Sequence, residues 1–543
     1  MPSVGDALFL GAFFLALRLR NGLLENDFTA RHVLTGRFIL SSHSIPHFDP
    51  FSYPVGASWT PHTWLLDVIF ASVYRVAGFS GLLVISAACI ALTLLLMFRF
   101  ALHRGAHPLV VLGMVCLAAW VINSSAGAGP AIFALPFVLG FLVILDAFQR
   151  RANNHLRLLP AMMLIWVNLA SGFIAGFALL AMYLAGALVV AAGSRDSARR
   201  QVNISKARTL AIVFAITVLA SFINPSGPKI LFSSARIAVN SGLTDHVLEW
   251  FSPDFHRNFL AEILLLAIIG VFITSRKRPD LFEAGLLLGT AATGLYASRF
   301  FLIFVVLVTP IAACLISTGS KALPARWPDV AVRFKGHLAK LSKRAVELEA
   351  HRNSHLFVWA ILIIWGFMAV YANKTGQVHF TDRERERLTF PVDALQFAVA
   401  NDLSGNMFNE EAWGGYIALK LFPAHKVFID DRLDLSGGDR AKQYLKVTNV
   451  EVGYDRVLES NDVNWVLLKA NRPLCRVLFL SGKWKLVFAD GIADILVRNV
   501  PENESLIRKY FNVYFVPDGF LRVNEYYEDP AGTGLTVVPG PER

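Results

Sequence analysis

Side chains that could carry out acid–base or binding chemistry are concentrated between Asp27 and Asp67. Carboxylates and imidazoles at such positions can take a proton from a hydroxyl group, and imidazoles can also bind a metal ion. Strongly apolar runs lie on both sides of this segment, so we expect it to form a loop at a membrane surface. Its polar and aromatic members are Asp27, His32, His43, His47, Asp49, Trp59, His62, Trp64 and Asp67.

The rest of the chain has the composition of a membrane protein. Of its 543 residues, 55% are hydrophobic and 17% are charged, whereas soluble proteins carry about 25% charged residues. Apolar runs close to the roughly 20 residues that cross a bilayer recur along the chain, and we predict an α-helical polytopic membrane protein of about eleven spans. The net charge of +11 is typical of Lys and Arg kept in cytoplasmic loops. No basic patch interleaved with aromatic residues indicates a nucleic-acid partner.

The segment from Trp64 to Val76 decides on which side of the membrane each loop lies. It is apolar on one side but contains Asp67 and Arg75, so we interpret it as an amphipathic helix in the membrane interface, ahead of a span at 81–98. The alternative, a true span, would place several basic loops outside. With the helix lying flat, basic loops alternate with acidic or aromatic ones, which predicts a cytoplasmic N-terminus and an extracytoplasmic C-terminus. Polar residues assigned to the external face are Asp27, His32, Asp49, His62, Asn168, Asn224, Glu249 and Arg299.

A change in composition near residue 373 predicts a second domain. We expect a transmembrane domain over 1–373 with its first external loop over 21–80, a soluble α/β domain over 374–530, and a disordered tail over 531–543. The domain is predicted to contain a strand, a Gly-Gly turn and a helix in NMFNEEAWGGYIALKLF, and a strand in KVFIDDRLDL. A helix followed by a strand is predicted in YDRVLESNDVNWVLLK, and a hairpin that turns at Asp490 and Gly491 comes after it. A charged cluster follows the strand in KVFIDDRLDL, for which a solvated loop is favoured over a ligand site. Its members are Asp430, Asp431, Arg432 and Asp434.

Several short motifs, in order, resemble a bacterial inner-membrane family related to the GT-C glycosyltransferases. The resemblance covers nearly the whole chain, and its order and loop placement are more specific than any single motif. In the first loop the motifs are D-F-x-x-x-H-x-x-x-G-R-x-I from Asp27, I-P-x-x-D-P-F-S-Y from Ile45 and W-x-x-H-x-W-L from Trp59. Further along are W-x-N-L at Trp166, N-P-x-G at Asn224, E-W at Glu249, S-R-F at Ser298, W-G-G-Y at Trp413 and V-F-I-D-x-R at Val427.

This resemblance implies a GT-C-like core that transfers a sugar from a polyprenyl-phosphate donor to an extracytoplasmic acceptor, in the bacterial inner membrane and for the cell envelope. It implies an acidic catalytic residue in the first loop, for which Asp27 is the first candidate and Asp49 the second. Asp27 could instead cap the following helix, and Asp49 could hold a turn before Pro50. Arg299 is the candidate for the donor phosphate, because a guanidinium binds phosphate bidentately.

The other candidate site residues are assigned to substrate binding or to a metal. His32, His62, Trp59 and Glu249 are the substrate-binding candidates, although Glu249 beside Trp250 could also be an interfacial anchor. A divalent metal, if any, would take His32 and His62 with Asp27 or Asp49. The sugar, the acceptor and the metal are not specified by the sequence.

Two other functions remain open at the level of the sequence. One is a non-catalytic relative that binds lipid-linked glycan during polysaccharide assembly, since this chain has Gly129 and Ala170 where the family usually has Arg and His. The other is a transporter, which is disfavoured because no charged residue lies clearly at midspan and no pair of broken helices repeats.

Overall fold

The computed structural model describes residues 3–19, 28–53, 58–125, 129–151, 155–232, 251–256, 258–275, 278–320, 344, 347, 355–375, 383–432 and 438–516. The described chain divides into two compact units. The first contains Met1–Leu23, His62–Leu66 and Val73–Val378, and the second contains Leu24–Pro61, Asp67–Ser72 and His379–Arg543. The loop that the sequence grouped with the transmembrane helices therefore packs mainly with the C-terminal domain. The predicted tail over 531–543 lies outside the described residues.

The first unit is built from apolar helices. Six helices in the described chain are long and apolar enough to cross a membrane, and five shorter apolar helices accompany them. This is a multi-pass membrane protein, while the total of eleven spans stays a prediction. The helices of this unit are α1 (Val4–Leu19), α3 (Trp64–His103, which also passes through the second unit), α4 (Pro108–Ser125), α5 (Pro130–Arg151), α6 (Leu158–Leu169), α7 (Ile174–Gly193), α8 (Ser197–Ser221), α9 (Phe259–Thr274), α10 (Leu281–Tyr296), α11 (Ser298–Ser320) and α12 (His355–Thr375).

A break divides α3 between the segment predicted to lie flat and the segment predicted to span. The backbone of Gly78 is non-helical, with φ 59° and ψ −156°. Asn373, near the end of α12, donates its side-chain N–H to the Val76 carbonyl at 3.2 Å, just ahead of this break. The sequence therefore located the division correctly to within a few residues. The orientation of the first segment to a membrane stays a prediction.

Charged side chains connect three helix ends in the first unit. Arg150 contacts Asp146 at 2.8 Å, Glu283 at 2.9 Å and Asp280 at 2.6 Å, and Arg104 also pairs with Glu283. Asp280 and Glu283 form a capping box at the start of α10. These residues belong to three loops that the positive-inside pattern assigns to one side. The contacts among these residues are consistent with a location on the same side of the membrane. We call these five residues the helix-end network.

Residues assigned to the opposite side also meet. The indole N–H of Trp64 donates to Asn168 Oδ1 at 2.7 Å, and Asn168 Nδ2 donates to the Ile223 carbonyl at 2.9 Å. Ile223 precedes Asn224 of the N-P-x-G motif. Polar residues predicted for one face at the ends of α6 and α8 thus lie together in the first unit.

The second unit contains a four-stranded mixed sheet in the order β1-β2-β4-β3. β1 and β2 are parallel, and β2, β4 and β3 pair antiparallel. The predicted helix–strand pair and the hairpin at Asp490 are confirmed. The elements are α2 (Phe28–Ser42), α13 (Arg383–Thr389), α14 (Val392–Ala400), β1 (Asn406–Asn409), α15 (Gly414–Leu421), α16 (Asp439–Thr448), α17 (Tyr454–Ser460), β2 (Val463–Lys469), α18 (Pro473–Leu480), β3 (Trp484–Ala489), β4 (Ala493–Arg498) and α19 (Glu504–Lys509).

Two local predictions in this domain are wrong. The Gly414–Gly415 pair was predicted as a turn, but it begins α15, after a short 3-10 turn at Glu411–Trp413. The KVFIDDRLDL segment was predicted as a strand, but its Val427 makes a single parallel bridge, to Ser52. Its partner comes from the first loop, far away in the sequence, so a local pattern could not show how short the pairing is.

Candidate functional site

The first loop is part of the core of the second unit. Tyr53 N–H donates to the Val427 carbonyl and Val427 N–H donates to the Phe51 carbonyl, each at 3.1 Å. The Tyr53 hydroxyl donates to the Met407 carbonyl at 2.5 Å, and its ring contacts Phe428 in the same hydrophobic core as the sheet. Two motifs separated by most of the chain, D-P-F-S-Y and V-F-I-D-x-R, are therefore packed side by side.

Asp49 and Arg432 form a buried ion pair at this junction. Arg432 Nη1 lies 2.9 Å from Asp49 Oδ1, and the two side chains are 4% and 3% exposed. Asp49 also accepts from Phe51 N–H at 3.0 Å and from the Ser52 hydroxyl. Both carboxylate oxygens of Asp49 therefore have partners, as the alternative interpretation of a turn before Pro50 expects. The catalytic role of Asp49 stays a prediction.

Arg432 is the centre of this junction and is not in a solvated loop. Its Nε is 2.9 Å from both carboxylate oxygens of Asp430, and its guanidinium lies over the Trp59 ring at 4.4 Å. Burial raises the pKa of Asp430, but Arg432 more than offsets this, so the net shift is downward. The prediction of a solvated loop at 430–432 is therefore wrong. A local pattern could not show that Asp49, far away in the sequence, is the partner of Arg432. Asp434 lies outside the described residues.

His32 and Asp67 form a second buried pair. His32 Nδ1 lies 2.5 Å from Asp67 Oδ1, and their side chains are 3% and 0% exposed. Arg31 Nη2 is 3.2 Å from His32 Nε2. Because a guanidinium only donates, Nε2 must accept and Nδ1 carries the proton that bonds to Asp67. Asp67 Oδ2 is buried without a hydrogen-bond partner in the described chain.

Arg31 joins the His32–Asp67 pair to the C-terminal domain. Its Nε lies 2.5 Å from Asp431 Oδ1, across 400 residues of sequence, and the side chains are 12% and 6% exposed. We call the set of seven residues described so far the arginine–carboxylate cluster. It consists of Arg31, His32, Asp49, Asp67, Asp430, Asp431 and Arg432.

Glu411 adds a titratable group beside this cluster. It lies in the short turn after β1, where its backbone N–H donates to the Tyr444 hydroxyl at 3.2 Å. Burial, followed by the charges of Asp431, Glu410 and Asp430, raises the pKa of Glu411 to about 7. A carboxyl group with this pKa can accept or donate a proton near neutral pH. Its neighbour Glu410 is instead bound by Arg472.

Two motif glycines allow the cluster to close. A Cβ on Gly36 of α2 would lie 1.9 Å from the Asp67 carbonyl oxygen, and a Cβ on Gly414 would lie 2.1 Å from the Ile429 carbonyl oxygen. Real side chains do not approach backbone this closely, so any larger residue would push α2 away from α3 or α15 away from residue 429. This close approach of the backbone explains why the motifs that bring His32, Asp67 and Asp430 together contain a glycine at positions 36 and 414.

The remaining candidate residues are divided between the units. His32 and Trp59 lie in the second unit, whereas His62, which is exposed, and Arg299 lie in the first. Arg299 is the second residue of α11, and its guanidinium is 5.8 Å from the Phe300 ring centroid. Asp27 and Glu249 lie outside the described residues. The assignment of Asp27, His62, Glu249 and Arg299 to one external face therefore stays a prediction.

The predicted metal ligands do not fit a metal where the structure describes them. Within the described ranges, no group of three or more His, Cys, Asp or Glu side chains could hold a metal ion. His32 uses Nδ1 on Asp67 and faces the Arg31 cation with Nε2, and Asp49 is bound by Arg432. A metal ion at His32 would be repelled by the positive charge of Arg31. The proposed reaction therefore uses no metal ion.

Sequence reasoning missed Arg31, Asp67 and Glu411 as members of one site. Arg31 stands directly before the motif histidine, and Glu411 belongs to an acidic pair after a predicted strand, which are the only local signals. Asp67 was taken as the polar face of an amphipathic helix. Only the fold shows that this face meets His32.

Comparisons with known proteins give a structural similarity alone. No protein-family model matches the chain, and no curated protein matches it in sequence. A cryo-EM structure of the arabinofuranosyltransferase AftD from mycobacteria is similar over 92% of this chain and 40% of its own, with 13% identity and a TM-score of 0.45. A structure of a mutant of the same enzyme is similar over 92% and 42%, with 12% identity and a TM-score of 0.45. The chain spans about two fifths of the length of these structures.

Proposed function

We propose that this protein is a membrane glycosyltransferase that moves a sugar from a polyprenyl-phosphate donor to an extracytoplasmic acceptor. The observation that carries the proposal is the arginine–carboxylate cluster, in which motifs from the first loop and from the C-terminal domain meet. The cluster contains a buried His–Asp pair and two arginines that are ion-paired with carboxylates. Packing of the domain alone does not require such buried polar groups, and they are typical of functional sites. Its position next to Asp27 in sequence supports a reaction site at the first loop.

In the proposed reaction an acceptor hydroxyl attacks the anomeric carbon of the donor sugar. The bond between that carbon and the phosphate oxygen breaks, and polyprenyl phosphate leaves with the electron pair. The hydroxyl proton goes to a carboxylate, for which Asp27 is proposed. Arg299 is proposed to stabilise the leaving phosphate, because it is always charged and offers paired donors. His62 and Glu249 are proposed as further substrate contacts, and direct displacement gives inversion at the anomeric carbon.

Purified full-length protein tests this proposal with a polyprenyl-phosphate sugar as donor. We expect release of polyprenyl phosphate, and we expect Asp27→Asn to reduce it by a factor of about 100 or more, since removing a general base costs that much. Asp455→Asn is the matched control, because Asp455 is an exposed carboxylate on α17. Release should be unchanged in this control.

Two results would contradict the proposal. Unchanged release in a folded Asp27→Asn protein would remove Asp27 from the mechanism. Binding of the lipid donor with no release by the wild-type protein would favour the non-catalytic alternative, which the substitutions at Gly129 and Ala170 keep open. The side of the membrane is tested separately, because a reporter fused after residue 516 and found in the cytoplasm would contradict an extracytoplasmic site.

A further inference from the structure

The arginines at the start of α8 have no carboxylate partners in the part of the chain that the structure describes. Arg199, Arg200 and Arg208 are exposed, and so is Arg195 in the loop before the helix. Within the described ranges, none of these four side chains makes a hydrogen bond or an ion pair. We call them, together with Lys206, the α8 basic segment.

The sequence around this segment supplies almost no negative charge. From Leu158 to Ser221 the chain has five cationic residues and one carboxylate, which is Asp196. Asp196 is the N-cap of α8, and its side chain accepts from the Ala198 N–H at 3.0 Å. The other arginines described above in this unit differ, because Arg104 and Arg150 are held by the carboxylates of the helix-end network. The α8 basic segment therefore lacks counter-ions that its own unit provides elsewhere.

An apolar surface lies beside the same segment. α7 contains no charged residue, packs along α8 and is joined to it by only three residues. Two packed helices joined by so short a loop are antiparallel, so residues at equal distances from the loop lie level with each other. Arg199 and Arg200 are thus level with the last apolar turn of α7. Apolar side chains exposed near this end of the helix pair are Leu188, Val189, Val202 and Ile204.

We propose that the α8 basic segment binds the phosphate groups of anionic phospholipids, whose acyl chains cover the neighbouring apolar residues of α7 and α8. A phospholipid supplies both partners that this surface lacks. Its phosphate accepts hydrogen bonds from unpaired guanidinium groups, and its hydrocarbon removes the exposed apolar side chains from water. An acidic peptide would supply the charge alone. The positive-inside pattern predicts that this end of α8 is cytoplasmic, where anionic lipids attract basic segments.

Packing holds α8 in the orientation that this site requires. Asn203, Ala207 and Leu210 are buried and form the face of α8 that packs in the first unit. Lys206 Nζ donates to the Gln149 carbonyl at 2.8 Å, which places this turn of α8 beside the end of α5. The backbone that carries the arginines is therefore fixed before a lipid binds, and binding has to order only side chains. This lipid site takes no part in the proposed transfer and does not rest on it.

Lipid binding to the purified full-length protein tests the proposal by native mass spectrometry. The probes are phosphatidylglycerol and phosphatidylcholine with the same acyl chains, and glycerol 3-phosphate is the soluble phosphate without chains. We expect phosphatidylglycerol to bind more tightly, and we expect higher salt to weaken it. The double variant Arg199→Gln, Arg200→Gln should lose about tenfold or more in affinity for it, since each cation near an anionic lipid surface contributes about fivefold. Glycerol 3-phosphate should not displace it.

Two further variants separate charge from fold. The double variant Arg199→Lys, Arg200→Lys keeps both charges and should keep most of the affinity. The double variant Lys442→Gln, Arg456→Gln removes two exposed cations from α16 and α17 of the second unit and should bind phosphatidylglycerol as wild type does.

Three results would overturn the proposal. The first is unchanged affinity for phosphatidylglycerol in a folded Arg199→Gln, Arg200→Gln protein. The second is equal affinity of the wild-type protein for the two lipids, a comparison that depends on no variant. The third is displacement of phosphatidylglycerol by glycerol 3-phosphate, which would show that the arginines bind a soluble phosphate instead of a lipid.

Discussion

Both units contain arginines clamped by carboxylates, but the two networks are built differently. The helix-end network joins residues at the ends of apolar helices, and part of it is local, such as the i,i+4 pair of Asp146 and Arg150. The arginine–carboxylate cluster joins α2, the first loop and the segment after α15, with Arg31 and Asp431 separated by 400 residues. The first network fastens helices that their own apolar faces already define. The second determines whether a loop and a domain form one body.

Burial separates the Arg150 pairs of the first network from the Arg432 pairs of the second. Arg150 is 33% exposed and Asp280 is 41% exposed, whereas Arg432 and its partners Asp49 and Asp430 are 4% exposed or less. An exposed ion pair contributes little to stability because water already solvates both charges. Breaking a buried pair is costly because the remaining charge stays unpaired and away from water. The comparison therefore predicts a large effect of removing Arg432 and a small effect of removing Arg150.

The largest expected effect is that of Arg432→Ala. It leaves Asp49 and Asp430 without their cation, and we expect the free energy of unfolding of the second unit to fall by about 3–5 kcal/mol. Hydrogen exchange measured by mass spectrometry on peptides from 406–498 should report this as faster exchange in the sheet. Arg456→Ala, at an exposed position, is the matched control. Equal protection in Arg432→Ala and in the control would show that the cluster does not hold the loop on the domain.

The sequence predicted structural features whose partners are local. The hairpin at Asp490 and the break near Val76 follow from short-range patterns, and both are confirmed in the fold. The pairing of Asp49 with Arg432 and the burial of Arg432 were both missed, for one shared reason. A carboxylate before a proline and an arginine in a charged loop look solvated until each is known to be the partner of the other.

The candidate site was predictable only as a region. The concentration of polar residues in 27–67 pointed to the first loop, and His32 was selected from it. Its partners Asp67 and Arg31 were not selected, because their roles depend on α2 packing against α3 through Gly36. In the sequence, close packing of this kind is visible only as a single glycine and produces no periodic pattern.

The second unit also contains a buried carboxylate that has no arginine partner in the described chain, and it can be compared with Asp49 and Asp430. Asp494 on β4 is 1% exposed, its Oδ1 has no hydrogen-bond partner in the described chain, and burial raises its pKa to about 7. The folded protein thus binds this proton more tightly than the unfolded chain, in which the pKa is near its ordinary value. The free energy of unfolding should therefore fall as the pH rises from about 4 to about 7, by on the order of 4 kcal/mol.

Asp494→Asn should remove this pH dependence and make the second unit more stable than wild type at pH 8. Thermal unfolding of both proteins at pH 5 and pH 8 in the same detergent measures it, with Asp455→Asn as the control. Asp430 should behave in the opposite direction, because Arg432 lowers its pKa and its contribution is lost as the pH falls. Wild type and Asp494→Asn with the same pH dependence would contradict a protonated Asp494.

The smallest expected effect is that of Arg150→Gln in the helix-end network. Glu283 keeps Arg104 as a partner, and Asp146 keeps Arg104 at 3.8 Å, so neither carboxylate is left without a cation. We expect a loss of about 1 kcal/mol or less, and a still smaller one in high salt, which screens exposed pairs. Thermal unfolding in detergent at low and high salt measures it. A loss as large as that of Arg432→Ala would mean that the apolar faces of α3, α5 and α10 do not determine their packing, and the contrast between the two units would then disappear.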